Sequence, residues 1–115
     1  VKRNFLALAR SAGRIADSKK ADNVVLINIQ KVTSEADYAV IASAGSSLQV
    51  NSIRQTIMQD FNDKDGLLPL YSDGRQSAYW SVLDYGGMVI HIMSPQARAF
   101  YNLDKIYSDG RKLKF

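Results

Sequence analysis

Between residues 3 and 18 small and apolar positions (Phe5, Leu6, Ala9, Ala12, Gly13, Ala16) recur at helical spacing, with Arg10 and Arg14 between them, and predict an amphipathic helix. Lys19-Lys20-Ala21-Asp22 breaks the pattern. Residues 23–29 form a near-continuous β-branched and aliphatic run, as in a strand covered on both faces. A polar connection over 33–37 leads to a second buried strand at 38–43. Gly45-Ser46-Ser47 opens a helix: Ser46 with Gln49 three residues on is a capping box, and Val50, Ile53, Ile57 and Phe61, with Met58 alongside, draw one apolar stripe to about residue 62. Residues 67–71 read as a short edge strand, because Pro69 lacks the N–H that a central strand needs. Residues 78–84 and 88–93 alternate as the arms of a hairpin around Tyr85-Gly86-Gly87. Ser94 before Pro95 is an N-cap followed by proline at N1, and it opens a last helix to about Tyr107 that turns Phe100, Leu103 and Ile106 inward. Residues 108–115 read as a loose basic tail.

This order predicts a single α/β domain over residues 1–107, with a mixed sheet of four or five strands flanked by helices. Parallel strands need the crossover helix, and the closing hairpin adds an antiparallel pair. Tyr-Ser-Asp-Gly-Arg occurs at both 71–75 and 107–111, but the flanking residues do not repeat, and Asp-Gly is ordinary turn chemistry.

Composition narrows the chemistry. With 115 residues and 46% apolar content the chain can bury a core without disulfides, and no run approaches the ~20 apolar residues of a membrane span. The absence of cysteine removes thiolate metal sites and cysteine nucleophiles, and one histidine is too few for an ordinary metal centre. The net charge of +4 is uneven. Residues 1–20 hold six basic residues against Asp17, and 105–115 hold four against Asp109; residues 21–104 hold five basic and nine acidic residues. An acidic body does not suit a nucleic-acid groove, where phosphate neutralisation dominates, and is matched to a basic protein partner.

Three segments carry candidate chemistry. Gly45-Ser46-Ser47, after a strand and at a helix start, is where nucleotidyltransferases hold phosphates. That reaction also requires a carboxylate pair for divalent metals, and residues 80–84 offer Asp84 alone while 88–93 offer none, so Ser46 reads as a cap. His91 alternates with Val89 and Met93, with Asp84 as the nearest hydrogen-bond candidate; it reads as a core or interface residue. In the strand at 80–84, alternation sends Trp80, Val82 and Asp84 to one face and Ser81 and Leu83 to the other. Trp80 reads either as a core residue or, with tyrosine beside a carboxylate, as part of a protein interface; stacking on RNA bases is a further alternative, weakened because no Lys or Arg flanks this strand.

Four blocks together resemble the ribosomal silencing factors, or Iojap-related proteins: residues 19–29, 36–47, 80–93 (Trp-Ser-Val-Leu-Asp-Tyr-Gly-Gly-Met-Val-Ile-His-Ile-Met) and 98–107 (Arg-Ala-Phe-Tyr-Asn-Leu-Asp-Lys-Ile-Tyr). Their order and spacing match the family over about residues 5–107. The chain departs from the family at Gly87, where an acidic residue is usual, at Tyr107, where tryptophan is usual, and at Asp73-Gly74, where Glu-Gly is usual. The resemblance implies a nucleotidyltransferase-like fold without catalysis, cofactor or metal. It further implies binding to large-subunit ribosomal protein fourteen on the large ribosomal subunit, a steric block to subunit joining and hence repression of translation. The family includes bacterial cytoplasmic and organellar forms, and members form homodimers when free. In this reading Trp80, Leu83 and Tyr85 are the apolar anchors, Asp84 and Asp37 pair with the basic partner, and the basic termini touch ribosomal RNA weakly.

Overall fold

A computed structural model describes residues 3–73 and 79–115. Among the described residues one mixed sheet of six strands runs through the protein in the order β3-β4-β5-β2-β1-β6. The strands are β1 (Asp22–Asn28), β2 (Tyr38–Ser43), β3 (Tyr71–Asp73), β4 (Trp80–Asp84), β5 (Met88–Met93) and β6 (Arg111–Leu113). Among the described strands only β2 and β5 pair in parallel; the helix α2 (Ser47–Asp65) lies within the connection between them. Buried throughout from Ala39 to Ser43, β2 takes the central place its apolar run calls for.

Helices α1 (Phe5–Ser18) and α2 cover one face. The stripe Ala9, Ala12, Gly13 and Ala16 carries almost no side chain, so α1 lies close against the sheet. Asn4 caps α1 by accepting from the Ala7 N–H at 3.0 Å. Ser46 caps α2 as its spacing predicts, accepting from the Gln49 N–H at 3.1 Å, and Gly66 ends the helix at φ 59°. Val50, Ile53, Ile57 and Phe61 are all buried beneath it. A second, smaller core on the opposite face joins Ile27, Ala39, Ile41 and Met93 to Ala97 and Leu103 of the last helices.

The structure departs from the sequence pattern in three places. The sheet has six strands, because residues 111–113 of the expected loose tail pair antiparallel with Leu26–Asn28, and the Arg10 side chain donates to the Lys114 carbonyl. The edge strand begins beyond Pro69: Leu70 donates to the Asp84 carbonyl at 2.8 Å and the ladder continues through Asp73. The last helix is two short pieces, α3 (Pro95–Tyr101) and α4 (Leu103–Ile106), divided by Asn102 in the left-handed region. That break leaves Leu103 inward but turns Phe100 and Ile106 out, at 81% and 60% exposure. Ala78 and the Gly74-Arg75 part of the first repeat copy lie outside the described residues.

Candidate docking face

The hairpin register arranges the candidate residues. Trp80 pairs with Met93, Val82 with His91 and Asp84 with Val89, so Trp80, Val82 and Asp84 share one face with His91. Asp37 precedes β2, donates its N–H to the Gly87 carbonyl at 2.9 Å, and by alternation lies on the face of Ala39. Trp80, Asp84 and Asp37 are thus on one side of the sheet. Trp80 and Asp84 stand at opposite ends of β4, about 13 Å apart at the usual rise per residue. Leu83 and Tyr85 point the other way, into the core beneath α1 and α2, with 0% and 3% exposure. They shape the face from behind and offer it no contact atoms. Tyr85 packs edge-on against Phe61 at 5.4 Å, and burial pushes its phenol up to about 12 against a smaller opposing effect of Arg54.

Around Trp80 the structure adds residues that the sequence pattern misplaces. Its indole lies 4.7 Å from the Tyr101 ring, which meets Phe100 edge-on at 5.0 Å. Phe100, Tyr101, Tyr79, Tyr71 and Leu70 are all more than half exposed and border β4. The signal for Phe100 and Tyr101 lay in Asn102, a residue that tolerates the left-handed conformation and so marks a helix end. Asp84 accepts from the Gly86 N–H at 2.8 Å, fixing the turn; its influence on His91 is that of a nearby charge, not the hydrogen bond the sequence pattern offers. The bonds His91 makes are to Trp80, whose Nε1–H reaches Nδ1 at 3.1 Å, and to the Tyr107 hydroxyl, 3.4 Å from Nε2.

The nucleotidyltransferase position is filled from within. The Gly45 N–H is taken by Gln49 Oε1 at 2.9 Å, while the Gln49 amide donates to the Lys19 and Lys20 carbonyls. Open α/β sheets usually hold ligands where the parallel strands end. Here that cleft, about 540 Å³ and lined by Asn23, Ser43 and Asn102, is crossed by Arg98. Its guanidinium grips Asp104 through two 3.0 Å bonds and donates to the Asn23 carbonyl and Ser43 Oγ. The bidentate bond holds the Asp104 carboxyl below the usual range. Among the described residues no group of three or more His, Cys, Asp or Glu converges as metal ligands would.

These features define a six-stranded α/β domain with an aromatic and acidic face, whose cleft at the ends of the parallel strands is bridged by Arg98. The sequence profile described as "Ribosomal silencing factor during starvation" matches residues 2–115. The chain belongs to the ribosomal silencing factor family. It is 28% identical to ribosomal silencing factor RsfS of Bacillus subtilis, over 93% of this chain and 90% of that one. To the RsfS of Zymomonas mobilis it is 34% identical, over 82% and 70%. The chloroplastic protein Iojap of Zea mays is 28% identical over 95% of this chain, which spans 47% of that longer protein. Crystal structures of proteins from Chromobacterium violaceum and Bacillus halodurans superpose with TM-scores of 0.86 and 0.77, at 22% and 27% identity, covering 98% and 99% of this chain and 92% and 100% of theirs.

Proposed function

We propose that this protein docks on the large ribosomal subunit through large-subunit ribosomal protein fourteen and blocks joining of the small subunit by its bulk, repressing translation without catalysis in a bacterial-type cytoplasm. The family match across residues 2–115 carries the reading. The open face of β4 supplies the surface: Trp80 with Tyr101 and Phe100 as apolar contacts, and Asp84 and Asp37 as charges for a basic partner. Aromatic residues at the centre of an interface with charges at its rim give affinity and encounter rate respectively. The sheet is polarised in the same sense, since Arg111, Lys112 and Lys114 gather at the opposite β6 edge, where ribosomal RNA is their complement. A globule of 37 × 33 × 23 Å seated between two subunits excludes one of them with no chemical step.

The test is the affinity of Trp80→Ala for purified large subunits. Binding should weaken by more than tenfold while the far-ultraviolet circular dichroism stays native. Exposed Asp37, reversed to lysine, should chiefly slow association and flatten its salt dependence. A folded Trp80→Ala variant that binds as tightly as the parent contradicts the proposed face.

A further inference from the structure

Resting on the docking face just proposed, we infer that His91 is a positioning residue for Trp80: its Nδ1 anchors the indole N–H, and the Tyr107 hydroxyl accepts from the Nε2–H of the tautomer that this bond selects. A half-buried tryptophan on a sheet has several staggered orientations open to it, and the one it adopts decides which edge a partner meets. Here the edge bearing Nε1–H turns inward to His91 at 3.1 Å, and Tyr101 flanks the ring at 4.7 Å. The indole nitrogen is a donor only, so Nδ1 must be the acceptor and carry no proton. The imidazole proton therefore resides on Nε2, facing the Tyr107 oxygen at 3.4 Å, and the hydroxyl accepts it.

Each member of this relay comes from a different element. Trp80 lies on β4, His91 on β5, and Tyr107 follows α4. His91 is 7% exposed, so water does not replace either bond. Burial also holds the imidazole at a pKa of about 4, with the Asp84 charge opposing, so the neutral acceptor form persists at neutral pH. An interior partner for the indole N–H leaves Trp80 presenting its hydrocarbon edge outward. His91 itself touches no partner in this arrangement and acts through the tryptophan alone.

The experiment uses the full chain and its single tryptophan. In the ¹⁵N-labelled parent, a coupling across the hydrogen bond between the indole Nε1 and the imidazole Nδ1 is expected, with slow exchange of the indole proton. A freely exchanging indole proton overturns the proposal without any variant having to fold. His91→Phe keeps a planar aromatic ring, somewhat larger, and removes the acceptor; His91→Asn returns an acceptor near the position of Nδ1. His91→Phe should make Trp80 fluorescence more open to acrylamide quenching and weaken binding to purified large subunits by about tenfold, the equivalent of about 1.4 kcal/mol. His91→Asn should recover most of both. If Trp80→Ala abolishes binding while a folded His91→Phe binds and quenches like the parent, the positioning role is overturned and the docking face stands. If Trp80→Ala binds normally, the docking face falls and the role in docking assigned to His91 falls with it.

Discussion

Acid should destabilise this protein in a pH window that belongs to one residue. His91 sits between Val82 of β4 and Ile41 of β2 in the strand ladder, and burial strips water from the imidazolium. Its pKa falls from 6.5 to about 4 because of that desolvation, and the Asp84 charge restores only part of it. The indole N–H aimed at Nδ1 disfavours the charged form in the same direction. The unfolded chain therefore binds a proton below about pH 6.5 that the folded chain refuses until about pH 4, so stability falls as the pH drops through this window. At about 1.4 kcal/mol per tenfold the full effect is about 3 kcal/mol, of which about 2 kcal/mol is lost between pH 7 and pH 4.5. A domain of this size has a total stability of only about 5–15 kcal/mol, so the loss is easily read. Urea unfolding of the parent and His91→Phe at successive pH values measures it: the parent should lose that stability and the variant should show a nearly flat profile. Asp104 does not confuse the result. Its carboxyl is held below its ordinary 3.8 by Arg98, so its stabilisation is present above 3.8 and declines only as the pH falls further. Equal slopes for parent and variant between pH 6.5 and 4.5 would refute the assignment of the window to His91.

Three other outcomes follow from close packing and burial. A Cβ at Gly110 would lie 2.7 Å from the Asn28 carbonyl and 2.5 Å from Ile27, so Gly110→Ala should lift β6 from β1, cost about 2 kcal/mol and expose the β1–β6 amides to hydrogen exchange. At Gly87 a Cβ would overlap the Phe5 ring; Gly87→Ala should destabilise by about 1–3 kcal/mol, and adding Phe5→Ala should remove most of that clash, as a double-mutant cycle in thermal unfolding would show. Tyr85, pushed from 10 to about 12 by burial, is stable in its neutral form, so its contribution is complete below pH 10 and is lost as the pH rises towards 12. Tyr85→Phe should reduce that alkaline loss in chemical denaturation, and an unchanged alkaline profile would contradict it.

Local chemistry made much of the fold legible. Ser46 with Gln49 and Gly66 mark both ends of α2, and Ser94-Pro95 marks the start of α3, because capping is written in the few residues that do it. Period-two alternation in β4 separates Trp80, Val82 and Asp84 from Leu83 correctly, and that same rule places Leu83 in the core. Carried one residue further, the same alternation turns Tyr85 inward to Phe61; what it cannot carry is the turn itself, where Asp84 bonds Gly86. Nor does Arg-Lys-Leu resemble a strand. β6 exists because β1 offers it an unpaired edge and Gly110 allows the backbones to approach. The aromatic border of the proposed docking face depends on Asn102 bending the chain between α3 and α4, with Ala97 and Leu103 packed on the second core. The same non-local packing brings Tyr107 to His91, so the relay beneath Trp80 appears only in three dimensions. The departure at Gly87 from the family pattern also acquires a reason, since Phe5 occupies the space a side chain would need.

Mixing the protein with purified small and large subunits at magnesium concentrations that favour joining, followed by a density gradient, reads the proposed block to subunit joining directly. The protein should sediment with the large subunit, and the joined-ribosome peak should shrink in proportion to the amount added. Protein remaining at the top of the gradient, with joining undiminished, would contradict it.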